Sequence, residues 1–286
     1  MEIAESIKAL RDVRRRWRDE QCKVAFVPTM GNLHDGHLSL LHRANELADK
    51  TVCSIFINPL QFDRAEDLEH YPKTMKDDIA GLQSLNTDLL FVPTTDMIYP
   101  YGAVSRATVN VTGITDSMEG KHRKGHFTGV ATVVCKLFNL VEPDIAIFGK
   151  KDFQQLLLIR QMTEDLNFPI EIVGSPTKRT PEGLALSSRN GNLTDGEREQ
   201  ATEIYRTLKD CIASLRDGDR EFEALEARAM QRLSAAGFAP EYFRIRNIAT
   251  LKPPNKTDDA ESLVVLTAAV LGKTRLIDNM RVADSI

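Results

Sequence analysis

"KVAFVPTMGNLHDGH", residues 23–37, decides how the chain reads. Its first six residues are a short β-rich apolar run. Helical periodicity begins at His37 and continues through "HLSLLHRANELAD" (37–49). A strand that passes through a glycine-bearing turn into a helix is the opening unit of an α/β sheet. His34 and His37 fall on that turn and on the first helical residue.

The same alternation runs outward from this unit. "TVCSIFINP" (51–59) is a second buried strand stopped by Pro59, and "TMKDDIAGLQSL" (74–85) is a helix leading to the strand "DLLFVP" (88–93). "FTGVATVVCKLFNLV" (127–141) reads as a buried helix, "DIAIFG" (144–149) as a strand, "FQQLLLIRQMTEDL" (153–166) as a helix and "PIEIVGSP" (169–176) as a strand. Apolar runs without strict alternation fit strands covered on both faces, hence a parallel sheet. Before this core, "MEIAESIKALRD" reads as an amphipathic helix, and "RDVRRRWRD" (11–19) as one solvated helix face. After Pro176 the texture changes. Two long charged helical stretches are followed by the strand-like runs "EYFRIRNI" and "SLVVLTAAVL", which predicts a smaller α+β domain. We place the boundary between residues 1–177 and 178–286.

Composition narrows the function. Hydrophobic residues make up 42% and charged residues 27%, enough for a sizeable core. A net charge of −4 gives no reason to expect a nucleic-acid partner. The four cysteines are scattered without disulfide or CxxC spacing, no run is long enough to span a membrane, and the N-terminus lacks a signal-peptide core. These features predict a cytoplasmic protein.

Three stretches carry chemistry. In an open α/β sheet, ligands bind outside the carboxyl ends of the strands, where a helix N-terminus favours anions. His34 and His37 can both face such an anion, and Gly31 and Gly36 let backbone come close. Two other readings stay open at this point: ordinary surface polar residues, and a metal pair. The metal reading is weakest, because no HExxH and no paired cysteines complete a site. "FGKKDFQQ" (148–155) again follows a strand and opens a helix. Lys151 offers a point charge for phosphate, Asp152 an acceptor for ribose hydroxyls, and Gln154 and Gln155 amides. Standing alone, a KD pair there is an ordinary N-cap. In "LALSSRNGNL" (184–193), Ser187, Ser188 and Arg189 form a compact donor cluster, or else a plain polar turn.

Taken in order and spacing, "PTMGNLHDGH", "IFINPLQF", "MEGKHRKGHFTGV", "FGKKDFQQ", "GLALSSRN" and the closing "TRLIDN" resemble the pantothenate synthetase (pantoate–β-alanine ligase) family over nearly the whole chain. H-x-G-H alone is shared by a wider nucleotidyltransferase group. The resemblance implies a Rossmann-like N-terminal domain, a smaller C-terminal lid domain and a homodimer. It also implies ATP- and Mg²⁺-dependent condensation of (R)-pantoate with β-alanine through a pantoyl-adenylate, releasing AMP and pyrophosphate.

By matching positions, Met30, Gly31, Asn32, Leu33, His34, Asp35, Gly36 and His37 line the ATP site, with His37 the family's proton donor and His34 and Lys151 its catalytic companions. Gly149, Lys150, Lys151 and Asp152, then Lys178, Leu186, Ser187, Ser188 and Arg189, match the other nucleotide-binding segments. Gln61 and Gln155 match the contacts to pantoate and β-alanine. No protein ligand to metal is assigned. Three positions depart from the pattern: Lys124 stands where proline is usual, Lys178 replaces an apolar residue whose backbone meets adenine, and Lys150 fills a variable position. Asp77 and Asp78 match an acidic pair sometimes near metal, and read here as solvated carboxylates on a helix face.

Rival readings are an H-x-G-H nucleotidyltransferase without a second condensation, a tRNA synthetase-like RNA binder, and a non-catalytic ATP-binding regulator. Gln61 and Gln155 argue against the first, the acidic balance and absence of an appended basic domain against the second, and the full phosphate-facing set against the third.

Overall fold

A computed structural model describes residues 1–62, 65–102 and 106–284. Six strands form one parallel sheet: β1 (Glu2–Ala4), β2 (Val24–Thr29), β3 (Lys50–Ile55), β4 (Leu89–Phe91), β5 (Ile145–Gly149) and β6 (Glu171–Ser175), in the order β1-β4-β3-β2-β5-β6. Alternate residues of β2 serve opposite faces, as a pleated strand requires. Ala25 and Val27 pack with Leu41 and Ala44 of helix Asp35–Leu47 and with Leu82 of helix Met75–Ser84. Phe26 turns the other way and meets Phe138 of helix His126–Val141, ring centroids 6.5 Å apart. Helices thus cover both faces, which is why the strands read as unbroken apolar runs.

The chain order reverses about β2: β3 lies on one side of it and β5 on the other. The carboxyl ends of β2 and β5 therefore flank the switch point, where open α/β sheets bind ligands.

Two readings are corrected at the N-terminus. Residues 2–4 are a strand and not helix, pairing Ile3 with Leu90 of β4, and the helix begins at Ile7 behind the Ser6 cap. A strand this short carries no periodicity, and only its distant partner defines it. Nor is the arginine cluster wholly solvated. Arg14 is buried, donating from Nε to Val141 O at 2.6 Å and from Nη2 to Glu142 O at 2.7 Å, where it caps the C-terminus of helix His126–Val141.

The chain divides into two compact units, residues 1–150 with 154–176, and residues 151–153 with 177–286. The second unit holds a three-stranded antiparallel sheet of β7 (Ala239–Asn247), β8 (Leu263–Leu271) and β9 (Thr274–Arg281), packed against helices Glu203–Arg216 and Phe222–Ala235. The closing "TRLIDN" is strand β9. No helix among the described residues is long and apolar enough to cross a membrane.

Candidate active site

In the first unit the site is built where β2 ends. Thr29 Oγ1 donates to Ser54 O at 2.8 Å and accepts the Gly31 N–H at 3.2 Å, so the turn starts locked to β3. Gly31 and Asn32 then take left-handed conformations, φ +81° and +52°. This double turn aims the N–H groups of Asn32 and Leu33 at one carboxylate. Asp78 accepts them at 3.0 and 2.7 Å, together with the Thr74 hydroxyl at 3.2 Å. Asp78 is 2% exposed, so its reading as a solvated carboxylate is corrected, while Asp77 is exposed. Its helix turns position 78 toward the loop and 77 toward water.

His34 caps helix Asp35–Leu47, its Nδ1 accepting the Gly36 N–H at 3.1 Å, and His37 Nδ1 accepts the His34 N–H at 3.4 Å. An imidazole nitrogen that accepts carries no proton, so each neutral ring bears its proton on Nε2. The rings lie 4.2 Å apart at 43°. The sequence reading offered free N–H groups of this helix to an anion. In the structure the Gly36 N–H goes to His34 Nδ1 and the His37 N–H to His34 O at 2.7 Å, so these two groups are used within the turn.

Gln61 sits in a 3₁₀ turn, Pro59–Gln61, started by Asn58. Its Nε2 donates to Met30 Sδ at 2.8 Å and its Oε1 accepts from Asn58 Nδ2 at 3.0 Å. Asn58 is fully buried; its Nδ2 also donates to Gly129 O at 3.2 Å, and its Oδ1 accepts the Tyr99 hydroxyl at 2.8 Å. His126 Nδ1 donates to Gln61 O at 2.8 Å, since Arg123 Nη1, a pure donor, occupies Nε2 at 3.0 Å. The Gln61 amide is thus held by Met30 and Asn58, and its backbone carbonyl by His126. Asn58, Tyr99 and His126 were not picked from the sequence, although Asn58 immediately precedes Pro59 in the quoted "INPLQF". Gln154 is buried and structural, donating to Ile114 O and Ser117 O and accepting the Glu119 N–H, whereas Gln155 is half-buried. Lys124 is exposed ahead of Gly125, whose φ of +77° starts the next helix.

In the second unit, Lys151, Ser187, Arg189, Tyr205, Arg275 and Asp278 are among the residues lining a shallow cleft. Lys151 and Arg189 bring two cationic side chains and Ser187 and Tyr205 two hydroxyls to this surface, while the third cation, Arg275, is ion-paired with Glu241 at 2.8 Å. Lys178, Leu186, Ser188 and Asp152 do not line it. Leu186 N–H donates to Lys178 O at 2.9 Å, and the Lys178 side chain is exposed. Beneath the cleft, Arg179 forks onto Asp278, Nη1 to Oδ2 at 2.5 Å and Nη2 to Oδ1 at 2.9 Å, with its guanidinium 4.3 Å from the Tyr205 ring. No group of three histidine, cysteine or carboxylate side chains fit to hold a metal occurs among the described residues.

Comparison with known proteins gives a consistent result. The profile of the family described as pantoate-beta-alanine ligase matches residues 2–281. Pantothenate synthetase of Aeromonas hydrophila subsp. hydrophila is 51% identical over 98% of this chain and 97% of its own, and that of Idiomarina loihiensis is 49% identical over 98% of both. The crystal structure of pantothenate synthetase from Thermus thermophilus superposes with a TM-score of 0.89 at 40% identity, over 99% of this chain and all of that one. The Francisella tularensis pantoate-beta-alanine ligase, solved with beta-gamma ATP and beta-alanine, gives 0.83 at 35% identity, over all of this chain and 99% of that one.

Proposed function

Because the chain belongs to the pantoate–β-alanine ligase family, we propose that it condenses (R)-pantoate with β-alanine at the expense of ATP, through a pantoyl-adenylate, releasing AMP and pyrophosphate. The observation that carries this reading is the bond from Gln61 Nε2 to Met30 Sδ. It joins the amide assigned to the acid substrate to the strand end assigned to the nucleotide.

The residues suit each step. Pantoate's carboxylate is already a nucleophile and needs no base, only alignment with the α-phosphorus against charge repulsion. Gln61 and Gln155 hold it by hydrogen bonds without adding charge, and the rigid support behind Gln61 makes that alignment cheap in entropy. As the α–β phosphate bond breaks, negative charge grows on the departing pyrophosphate. We assign His34 and His37, as imidazole donors, and Lys151 and Arg189, as full charges, to that growing charge. The free amine of β-alanine then attacks the acyl carbon: the C–N bond forms, the acyl–oxygen bond to AMP breaks, and the proton lost from nitrogen passes to water or the departing AMP. We assign the nucleotide to Met30–His37, Gly149–Asp152, Lys178 and Leu186–Arg189.

Magnesium, when bound, neutralises phosphate charge. Mg²⁺ would be held chiefly by the nucleotide's phosphates and water, as its chemistry favours, and no carboxylate cluster fit to hold a metal occurs among the described residues. Asp78 already spends its oxygens on Asn32, Leu33 and Thr74. Residues 1–177 are assigned to nucleotide and pantoate binding and 178–286 to the lid domain the resemblance implies. A homodimer and a cytoplasmic setting complete the assignment. Buried free Cys53 and Cys211 suit a reducing compartment, and sedimentation would test the dimer.

The decisive experiment is pyrophosphate exchange into ATP across a set of small carboxylic acids. Exchange with pantoate alone, before β-alanine is added, is expected. Exchange that requires β-alanine would contradict the adenylate, and exchange supported only by another acid would overturn the substrate.

A further inference from the structure

Two stretches assigned to phosphate, around Lys151 and around Ser187–Arg189, lie far apart in the sequence yet are tied to neighbouring residues of one strand. Asn279 of β9 is 7% exposed and donates from Nδ2 to Lys151 O at 2.6 Å. Beside it, Asp278 is 5% exposed and holds Arg179 through both carboxylate oxygens. Arg179 reaches on to Gly183 O at 3.1 Å and to Asn279 O at 3.3 Å. An antiparallel bridge between Arg179 and Ala185 carries that grip into the segment that starts the Ser187 turn. The strand locks its own pair, since Asp278 Oδ1 accepts the Asn279 N–H at 2.8 Å.

We infer that Asn279 is a positioning residue for catalysis: its amide fixes the Lys151 backbone so that the ammonium stands where phosphate charge develops, and the Asp278–Arg179 pair registers the Ser187–Arg189 turn to the same anchor. The inference rests on the assignment of Lys151 and Arg189 to phosphate. The physical case is that Lys151 lies in a single 3₁₀ turn, Lys150–Asp152, which supplies little rigidity of its own. A lysine side chain has four rotatable bonds, so the effective concentration of its charge depends on how firmly its backbone is held. An inward carboxamide on a paired strand gives that firmness without adding charge beside the phosphates. A part-buried fork between Arg179 and Asp278 costs desolvation and is weak evidence for stability alone. Its place under the cleft gives it a use as a geometric stop.

The test is a double-mutant cycle on single-turnover adenylation by the full-length enzyme, with ATP, Mg²⁺ and pantoate. Asn279→Leu keeps the volume and removes the donor. It should slow adenylation about tenfold in the wild-type background, the scale of one lost hydrogen bond to a backbone carbonyl, with the effect in kcat more than in KM. In the Lys151→Ala background the same substitution should cost less than about twofold, because partners acting through one group are not additive. Equal losses in both backgrounds, or none in either, would overturn the inference. So would a Lys151→Ala enzyme of normal rate. Should Asn279→Leu unfold early, Asn279→Ser, which keeps a polar group in the site, carries the same comparison. Wild-type protein that shows no pantoate-dependent exchange fails the functional reading itself, an outcome separate from a cycle that closes additively in an active enzyme.

Discussion

Asp78 Oδ1 accepts the backbone N–H of Leu33 at 2.7 Å, a contact spanning 45 residues of sequence and buried beside the loop that carries both histidines. Together with the Asn32 N–H, it makes the loop's shape depend on one carboxylate. Asp78→Ala should therefore destabilise the fold by roughly 2–3 kcal/mol, the cost of leaving two part-buried donors unpaired. It should also slow adenylation. Urea unfolding beside single-turnover rates checks both, and a variant of wild-type stability would show that water replaces the carboxylate.

His34 has two jobs, cap and donor, and they can be separated. His34→Ala should lose about 1 kcal/mol as a missing N-cap and about a hundredfold in kcat and kcat/KM as a missing preorganised donor. Asparagine is a good N-cap but is too short to reach as imidazole Nε2 does. His34→Asn should then keep the melting temperature and lose the rate. An asparagine variant of normal activity would make the histidine purely structural. His37→Ala should show a comparable kinetic loss.

Gly129 sets how closely helix His126–Val141 approaches the Gln61 turn. A Cβ there would stand 2.2 Å from Leu60 O and 2.9 Å from Gln61 N, both backbone atoms that cannot swing aside. Gly129→Ala should force the turn outward and destabilise by roughly 1–3 kcal/mol, as overpacking does. Displacing Gln61 should cut turnover roughly tenfold to a hundredfold, with the KM for pantoate rising and that for ATP nearly unchanged. Equal changes in both KM values would contradict the assignment of Gln61 to the acid.

Burial pushes the thiols of Cys53 and Cys211 up to about 12, against an ordinary value of 9.0. The fold thus favours the neutral thiol over the thiolate. That contribution is complete below about pH 9 and declines as the pH rises toward 12, so the urea midpoint should fall across this window. A Cys53→Ala, Cys211→Ala variant should show a flatter profile. Iodoacetamide should label half-buried Cys22 and Cys135 first and reach the buried pair only on unfolding.

What could be read from the chain alone follows from local rules. The strand–turn–helix at residues 23–49 announces itself through one change of period, and so do the segments ending at Gly149 and Ser175, because a strand buried on both faces must be apolar along its whole length. The glycines and polar residues after β2 and β5 mark strand ends, so the candidate residues could be placed on one edge of a sheet before any coordinates. The residue types and offsets of the histidine pair and of Lys151 are legible for the same reason, because they are local; that these residues act on phosphate is the proposal the adenylation rates test.

The tertiary structure decided whatever depends on a partner distant in sequence. Residues 2–4 form a strand only because β4 lies alongside. Arg14 is buried because helix His126–Val141 presents two carbonyls to it, and nothing in the run of arginines distinguishes it from its neighbours. Asp78 differs from Asp77 by one step of helical rotation, and whether that step leads to water or to the Asn32 and Leu33 N–H groups is a matter of packing. Asn279 meets Lys151 across 128 residues. Sequence fixes which groups a chain can offer and which face of a local element bears them. Burial and hydrogen-bond satisfaction are properties of surroundings, and those exist only once the chain has closed on itself.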